Sequence, residues 1–125
     1  MSKNVLVVDD SKLARDLLAY MVSSGGYNAE AAEGGAEALE RLAAEAFQLV
    51  VVDLNMPLMD GYELIRRIRS SETISEISII IATTEAEAQD KSRGVEAGAD
   101  LYMVKPVQEA ELISNIRMLI GDADD

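Results

Sequence analysis

The sequence predicts an α/β fold: a doubly wound (βα)5 domain in three layers, with a parallel sheet between two layers of helix. Three observations carry this expectation. Short apolar runs recur at intervals of roughly 22 to 28 residues along the chain. Most of the runs are β-branched and unalternating, as strands buried on both faces are. Between them, apolar residues fall at helical rather than strand spacing.

Taken in order, the first strand is "VLVV", Val5 to Val8, followed by a helix with Leu13, Leu17, Leu18 and Met21 on one face. "YNAEAA", Tyr27 to Ala32, is the second strand, and Ala38, Leu39 and Leu42 mark the second helix. The third strand is "LVVV", Leu49 to Val52. The loop after it ends at an N-cap, Asp60, with Gly61 opening a helix that turns Leu64, Ile65 and Ile68 inward. "ISIII", Ile77 to Ile81, is the fourth strand. The interval Ala86 to Ala97 is a poorer helix, because its apolar residues are mostly alanine, Gly94 interrupts it and only Val95 offers a branched anchor. "LYMV", Leu101 to Val104, is the fifth strand, and Leu112, Ile113, Ile116 and Leu119 line the last helix. The closing "GDADD" is expected to fray in solvent. Strands separated by helices run parallel, and the expected strand order is the flavodoxin-like 2-1-3-4-5.

At 125 residues and 49% hydrophobic composition the chain suits a single domain, residues 1–125, with a sizeable core. The absence of cysteine removes disulfides, thiolate chemistry and zinc–thiolate sites, and the absence of histidine removes the commonest general base and any histidine phosphodonor role. Any chemistry falls to carboxylates, hydroxyls and lysine. No apolar run approaches the length of a signal peptide core or a membrane span, so a cytoplasmic protein without membrane insertion is expected. A formal net charge of -12 opposes nucleic-acid binding; it suits metal ions or basic protein patches, or serves solubility alone.

In open parallel sheets ligands bind beyond the carboxyl ends of the strands. After the first strand come Asp9 and Asp10, after the third Asp53, after the fourth Thr83 and Thr84, and after the fifth Lys105 and Pro106. Adjacent carboxylates repel by about 4 kcal/mol at ~4 Å in a protein-like dielectric, so a fold that fixes them usually supplies a cation. Asp9, Asp10 and Asp53 are hard oxygen ligands suited to Mg²⁺. Asp53 can act as nucleophile toward a phosphoryl group, with Lys105 and the Thr83 hydroxyl meeting the phosphoryl oxygens. Each residue alone has a plainer reading: the Asp pair as a helix N-cap, Asp53 as a turn residue, Lys105–Pro106 as surface. Independent turn residues, however, have no reason to choose the same end of the sheet.

Together, "VLVVDD", "VVDLNMPLMDG", "IIATTEAE", "EAGAD" and "YMVKP" resemble, in order and spacing, the CheY-like receiver domains of two-component response regulators. The resemblance implies that Asp53 is the phosphoacceptor, that Asp9 and Asp10 hold Mg²⁺ with the backbone carbonyl of Asn55, and that Lys105 pairs with the phosphoryl group. It makes Thr83 the switch hydroxyl, Tyr102 a rotating aromatic, and the Lys105–Pro106 peptide cis. Asn55 and Glu85 resemble the chemotaxis subgroup, where polarity at these positions tunes dephosphorylation. Thr84 and Val107 depart from the common alanine and phenylalanine, which bears on partner choice. The implied function is that of a stand-alone, monomeric response regulator in chemotaxis or a phosphorelay, taking its phosphoryl group from a sensor histidine kinase or phosphotransfer protein and signalling by phosphorylation-dependent protein binding. It is expected to be no enzyme beyond self-catalysed phosphorylation and dephosphorylation. The rival readings are a small Mg²⁺-dependent Asp-nucleophile phosphohydrolase, for which no insertion offers a lid, and a pseudo-receiver, against which the full polar set argues.

Overall fold

The structure, a computed structural model, describes residues 3–84 and 91–124. Within them strands and helices alternate as β1 (Asn4–Val8), α1 (Lys12–Ser24), β2 (Asn28–Ala32), α2 (Gly35–Ala44), β3 (Leu49–Val52), α3 (Gly61–Ser70), β4 (Ser78–Thr83), α4 (Lys91–Ala97), β5 (Leu101–Val104) and α5 (Glu109–Ile120). All pairings are parallel and the order is β2-β1-β3-β4-β5, so the expected fold class and topology are both observed.

Alternate strand residues serve opposite faces. Val5, Val7, Leu49, Val51, Ile80 and Ala82 pack with Leu18, Met21 and Val22 of α1 and Leu112 and Ile116 of α5. Leu6, Val8, Val50, Val52, Ile79 and Ile81 pack with helices α2 and α3 and with Ala97 of α4. This two-sided burial is why the central strands show no polar alternation. In α3, Leu64, Ile65 and Ile68 are completely buried, each stabilising the fold by about 1.5–3 kcal/mol. Its start is capped as expected, with Asp60 Oδ1 accepting from the Glu63 N–H at 2.9 Å.

Five expectations need correction. Strand β2 starts at Asn28; Tyr27 is buried before it, its hydroxyl donating to the Gly121 carbonyl at 2.7 Å. Strand β4 runs on to Thr83, because pairing with β5 carries Ala82 and Thr83 beyond the apolar run. On α1, Leu13 is 80% and Leu17 52% exposed. At about 100° per residue Leu13 lies roughly 140° round the helix from Leu18, outside the arc the sheet covers. On α4, Val95 is 72% exposed and anchors nothing. The helix instead approaches through Gly94, where a Cβ would sit 2.9 Å from Ile81 Cδ1 and 3.1 Å from the Tyr102 ring. Residues 86–90 of that expected helix lie outside the described residues. Finally, the tail as far as Ala123 is docked rather than frayed: the Lys3 N–H donates to the Ala123 carbonyl at 3.2 Å and Arg117 pairs with Asp122 at 2.7 Å.

Beside the edge strand, Arg41 holds two carboxylates, Glu30 at 3.0 Å and Glu45 at 3.6 Å. Partial burial, with the hydrogen bond and charge of Glu45, raises the Glu30 pKa above 4.5 against the pull of Arg41. A carboxyl raised on folding favours the folded state at low pH, and this contribution is lost as pH rises through the folded value. Glu45→Gln should therefore move the Glu30 midpoint down toward 4.5 in a carboxyl NMR titration; an unmoved midpoint would refute the coupling. No helix among the described residues is long and apolar enough to cross a membrane.

Candidate functional site

Strand β1 delivers Asp9 and Asp10 to the carboxyl edge of the sheet. Asp9 is buried and Asp10 exposed. Asp9 Oδ1 accepts from the Ser11 N–H at 2.9 Å, and Oδ2 accepts from Lys105 Nζ at 2.7 Å. The cap of α1 is Ser11, whose hydroxyl accepts from the Ala14 N–H at 3.3 Å, so the aspartate pair is left for another task.

Asp53 follows β3, its N–H donating to the Val8 carbonyl at 3.0 Å, which registers it beside the β1 exit. Gly61 lets α3 start against it: a Cβ there would lie 2.5 Å from the Asp53 carbonyl oxygen and 2.8 Å from Leu54 Cα. The Asp53 side chain is 8% exposed, with Oδ1 3.8 Å from Lys105 Nζ. Burial raises its pKa; the Lys105 charge opposes the rise, the Asp9 charge adds to it, and Thr83 and the Asn55 backbone oppose it more weakly.

Oxygens from Asp9, Asp10 and Asp53 lie within 4.8 Å of one another. Lys105 offsets one of three charges, and the remaining charge and hard oxygen donors fit a divalent cation such as Mg²⁺. Two atoms fit a ligand further. Among the described residues, Asp53 Oδ1 and the Thr83 hydroxyl are buried and lack a hydrogen-bond partner, and Thr83 favours Asp53's charge without reaching hydrogen-bond geometry. Each such orphan costs about 1–3 kcal/mol until something satisfies it.

The fold thus brings together Asp9, Asp10, Asp53, Lys105 and Thr83 from four strand ends. Asn55 is exposed two residues beyond Asp53. Tyr102 is half-buried on the edge strand β5, packed against the core and facing Gly94. The Lys105–Pro106 peptide is cis, as the resemblance implied. Glu85 lies outside the described residues. Sequence reasoning missed Ser11 and Arg15, the latter donating to the Asp9 carbonyl at 2.9 Å. Ser11 was readable as a cap; Arg15 bonds to backbone and leaves no pairing pattern.

The geometry agrees with comparison to known proteins. A model described as "Response regulator receiver domain" matches residues 5–117. The chain belongs to this family. Receiver domains are signalling modules, and this receiver is 38% identical over 120 residues to response regulator MprA of Mycobacterium ulcerans, covering 96% of this chain and 51% of MprA. It is 37% identical over 110 residues to the gliding motility regulatory protein of Myxococcus xanthus, covering 88% of this chain and 14% of that protein. The receiver therefore spans about half or less of these relatives. Among solved structures, Vibrio cholerae chemotaxis protein CheY4 superposes with a TM-score of 0.89 at 30% identity, covering 96% of this chain and 100% of that one. The receiver domain of sensor histidine kinase PA1611 from Pseudomonas aeruginosa PAO1, with a magnesium ion coordinated in its active site cleft, superposes with a TM-score of 0.88 at 27% identity, covering 98% and 100%.

Proposed function

We propose that this receiver accepts a phosphoryl group on Asp53 from a sensor histidine kinase or phosphotransfer protein, in a Mg²⁺-dependent reaction, and signals by binding a protein target in the phosphorylated state. The observation that carries the reading is the buried Asp53 carboxylate, one oxygen without a hydrogen-bond partner among the described residues, beside the Lys105 ammonium and the Asp9–Asp10 pair. Asp9, Asp10 and Asp53, with the Asn55 carbonyl, would hold Mg²⁺, which when bound neutralises charge on the transferring phosphoryl oxygens. An Asp53 oxygen forms the bond to phosphorus as the donor's P–N bond breaks, and the departing imidazole nitrogen keeps the electron pair. Lys105, already 2.7 Å from Asp9 and 3.8 Å from Asp53, pairs with the incoming negative charge, and Thr83 donates its unused hydroxyl proton to a phosphoryl oxygen. Hydrolysis of the acyl phosphate, tuned by Asn55 and Glu85, resets the switch, so the only catalysis is self-directed. The likeness to a chemotaxis protein supports output by protein contact, in chemotaxis or a phosphorelay, from a cytoplasmic monomer.

The donor surface in this reading is the outer stripe of α1. Leu13, Leu17 and Tyr20 are exposed at i, i+4 and i+7, on the helix that starts beside Asp10. Such a stripe suits a helical protein partner. With acetyl phosphate and Mg²⁺, intact-mass spectrometry should show one added phosphoryl group, and none in chelator. Leu17→Asp should slow transfer from a phosphohistidine protein at least tenfold while leaving the acetyl phosphate reaction unchanged. Turnover of small phosphate esters would point instead to a phosphohydrolase, and failure to take up phosphate with Mg²⁺ to a pseudo-receiver.

A further inference from the structure

The turn that carries the two N-terminal aspartates is held by a partly buried cation. Arg15 Nη1 donates to the Asp9 carbonyl oxygen at 2.9 Å, and its side chain is only 11% exposed. Nη2 lies 3.7 Å from Glu33, the residue just past β2. Asp9 is thereby secured at three points: its carbonyl by Arg15, Oδ1 by the Ser11 N–H and Oδ2 by Lys105. Asp10 is exposed, and its carboxylate joins the cluster through the path of its backbone. Because the peptide unit is planar, fixing the Asp9 carbonyl fixes the direction in which the Asp10 N–Cα bond leaves.

We propose that Arg15 is a positioning residue for the divalent-cation site: by pinning the Asp9 carbonyl it aims the Asp10 carboxylate into the cleft. The inference rests on the Mg²⁺ site of the proposed function. It carries a sign that separates it from simple electrostatics. A guanidinium this close to a cation site disfavours cation binding by charge, so its removal would tighten binding if charge were its main effect. A positioning role requires the opposite. Lysine does not reproduce the planar fork that reaches a carbonyl and the neighbouring Glu33 together, so restoring the charge alone does not restore the role.

The test is Mg²⁺ titration by calorimetry of wild type, Arg15→Met, Arg15→Lys and Asp10→Asn, with amide hydrogen exchange of the metal-free proteins. Arg15→Met should bind Mg²⁺ roughly tenfold more weakly, the scale found when a residue behind a metal ligand is lost. Its Asp10 and Ser11 amides should exchange faster before any metal is added, and Arg15→Lys should recover little affinity. A merely structural role would lower the thermal midpoint and leave the affinity of the folded protein unchanged. Unchanged or tighter binding by Arg15→Met overturns the proposal. Should that variant not fold, Arg15→Lys decides: weakened binding supports positioning and wild-type affinity overturns it. No Mg²⁺ binding by wild type would sink the functional reading itself, whereas normal wild-type binding weakened by Asp10→Asn alone would sink only the role of Arg15.

Discussion

Asp53→Asn should take up no phosphoryl group from acetyl phosphate and Mg²⁺ under conditions in which the wild-type chain gains one. The amide is a poor nucleophile and forms no stable acyl phosphate, so the expected effect is complete loss rather than slowing. The same variant should melt at a higher temperature than wild type in metal-free buffer at neutral pH. Burial and the Asp9 charge both push the Asp53 pKa up, which makes the ionised side chain a burden on the folded state. By linkage, a carboxyl raised on folding adds stability only at low pH, and that contribution is gone where Asp53 is ionised. Replacing it with a neutral isostere lifts the burden, while Lys105 keeps its 2.7 Å contact with Asp9. Mass spectrometry and calorimetry read the two effects independently. A phosphorylated Asp53→Asn would move the acceptor role to another carboxylate of the cluster, Asp9 or Asp10, and a lower melting point would contradict the electrostatic account.

What the sequence made legible follows from which interactions leave a one-dimensional trace. Strands β1, β3 and β4 are sandwiched between helices, and burial on both faces writes an unbroken apolar run that reads directly as a parallel sheet. The carboxylates and Lys105 were legible because a charge ending such a run has few structural reasons to be there. The inward face of α1 was not: Leu13 and Leu17 look like core residues in a periodicity argument, and only the finite width of the covering sheet leaves them outside. Gly94 reads as a helix breaker, yet it is the point of closest approach of α4 to Ile81 and Tyr102, a property of two surfaces rather than of one segment. Arg15 was invisible because its partner is a backbone carbonyl. The docked tail was missed in part for the same reason, since Tyr27 and Lys3 reach it through the carbonyls of Gly121 and Ala123, beside the Arg117–Asp122 ion pair.

Thr83→Ala, and separately Lys105→Ala, should still accept a phosphoryl group yet show much smaller changes on activation in the amide NMR spectra of α4, β5 and α5. Tyr102 is the cross-strand neighbour of Ile81, and Thr83 lies two residues further along β4, so the Thr83 and Tyr102 side chains share one face of the sheet. The Thr83 hydroxyl is buried without a hydrogen-bond partner among the described residues, so it can turn toward a phosphoryl oxygen on Asp53. Movement in that direction opens space beside Tyr102, and the Tyr102 ring already rests against Gly94, so a rotated ring and a shifted α4 are mechanically linked. Helix α4 is the element suited to move, because Val95 is exposed and, among the described side chains of the helix, the small residues Gly94 and Ala97 are the ones that press toward the sheet. A hydrogen bond to a charged group contributes about 1.5–3 kcal/mol, enough to change a two-state ratio roughly 10- to 150-fold. A phosphoryl group biases the equilibrium only through contacts that differ between the states, and Thr83 and Lys105 each supply one. Deleting either should therefore leave the chemistry at Asp53 and remove most of its distant consequence. Wild-type spectral changes in both variants would rule out this route, and wild-type protein whose changes stop at the cleft would show that α4 is not the responding element.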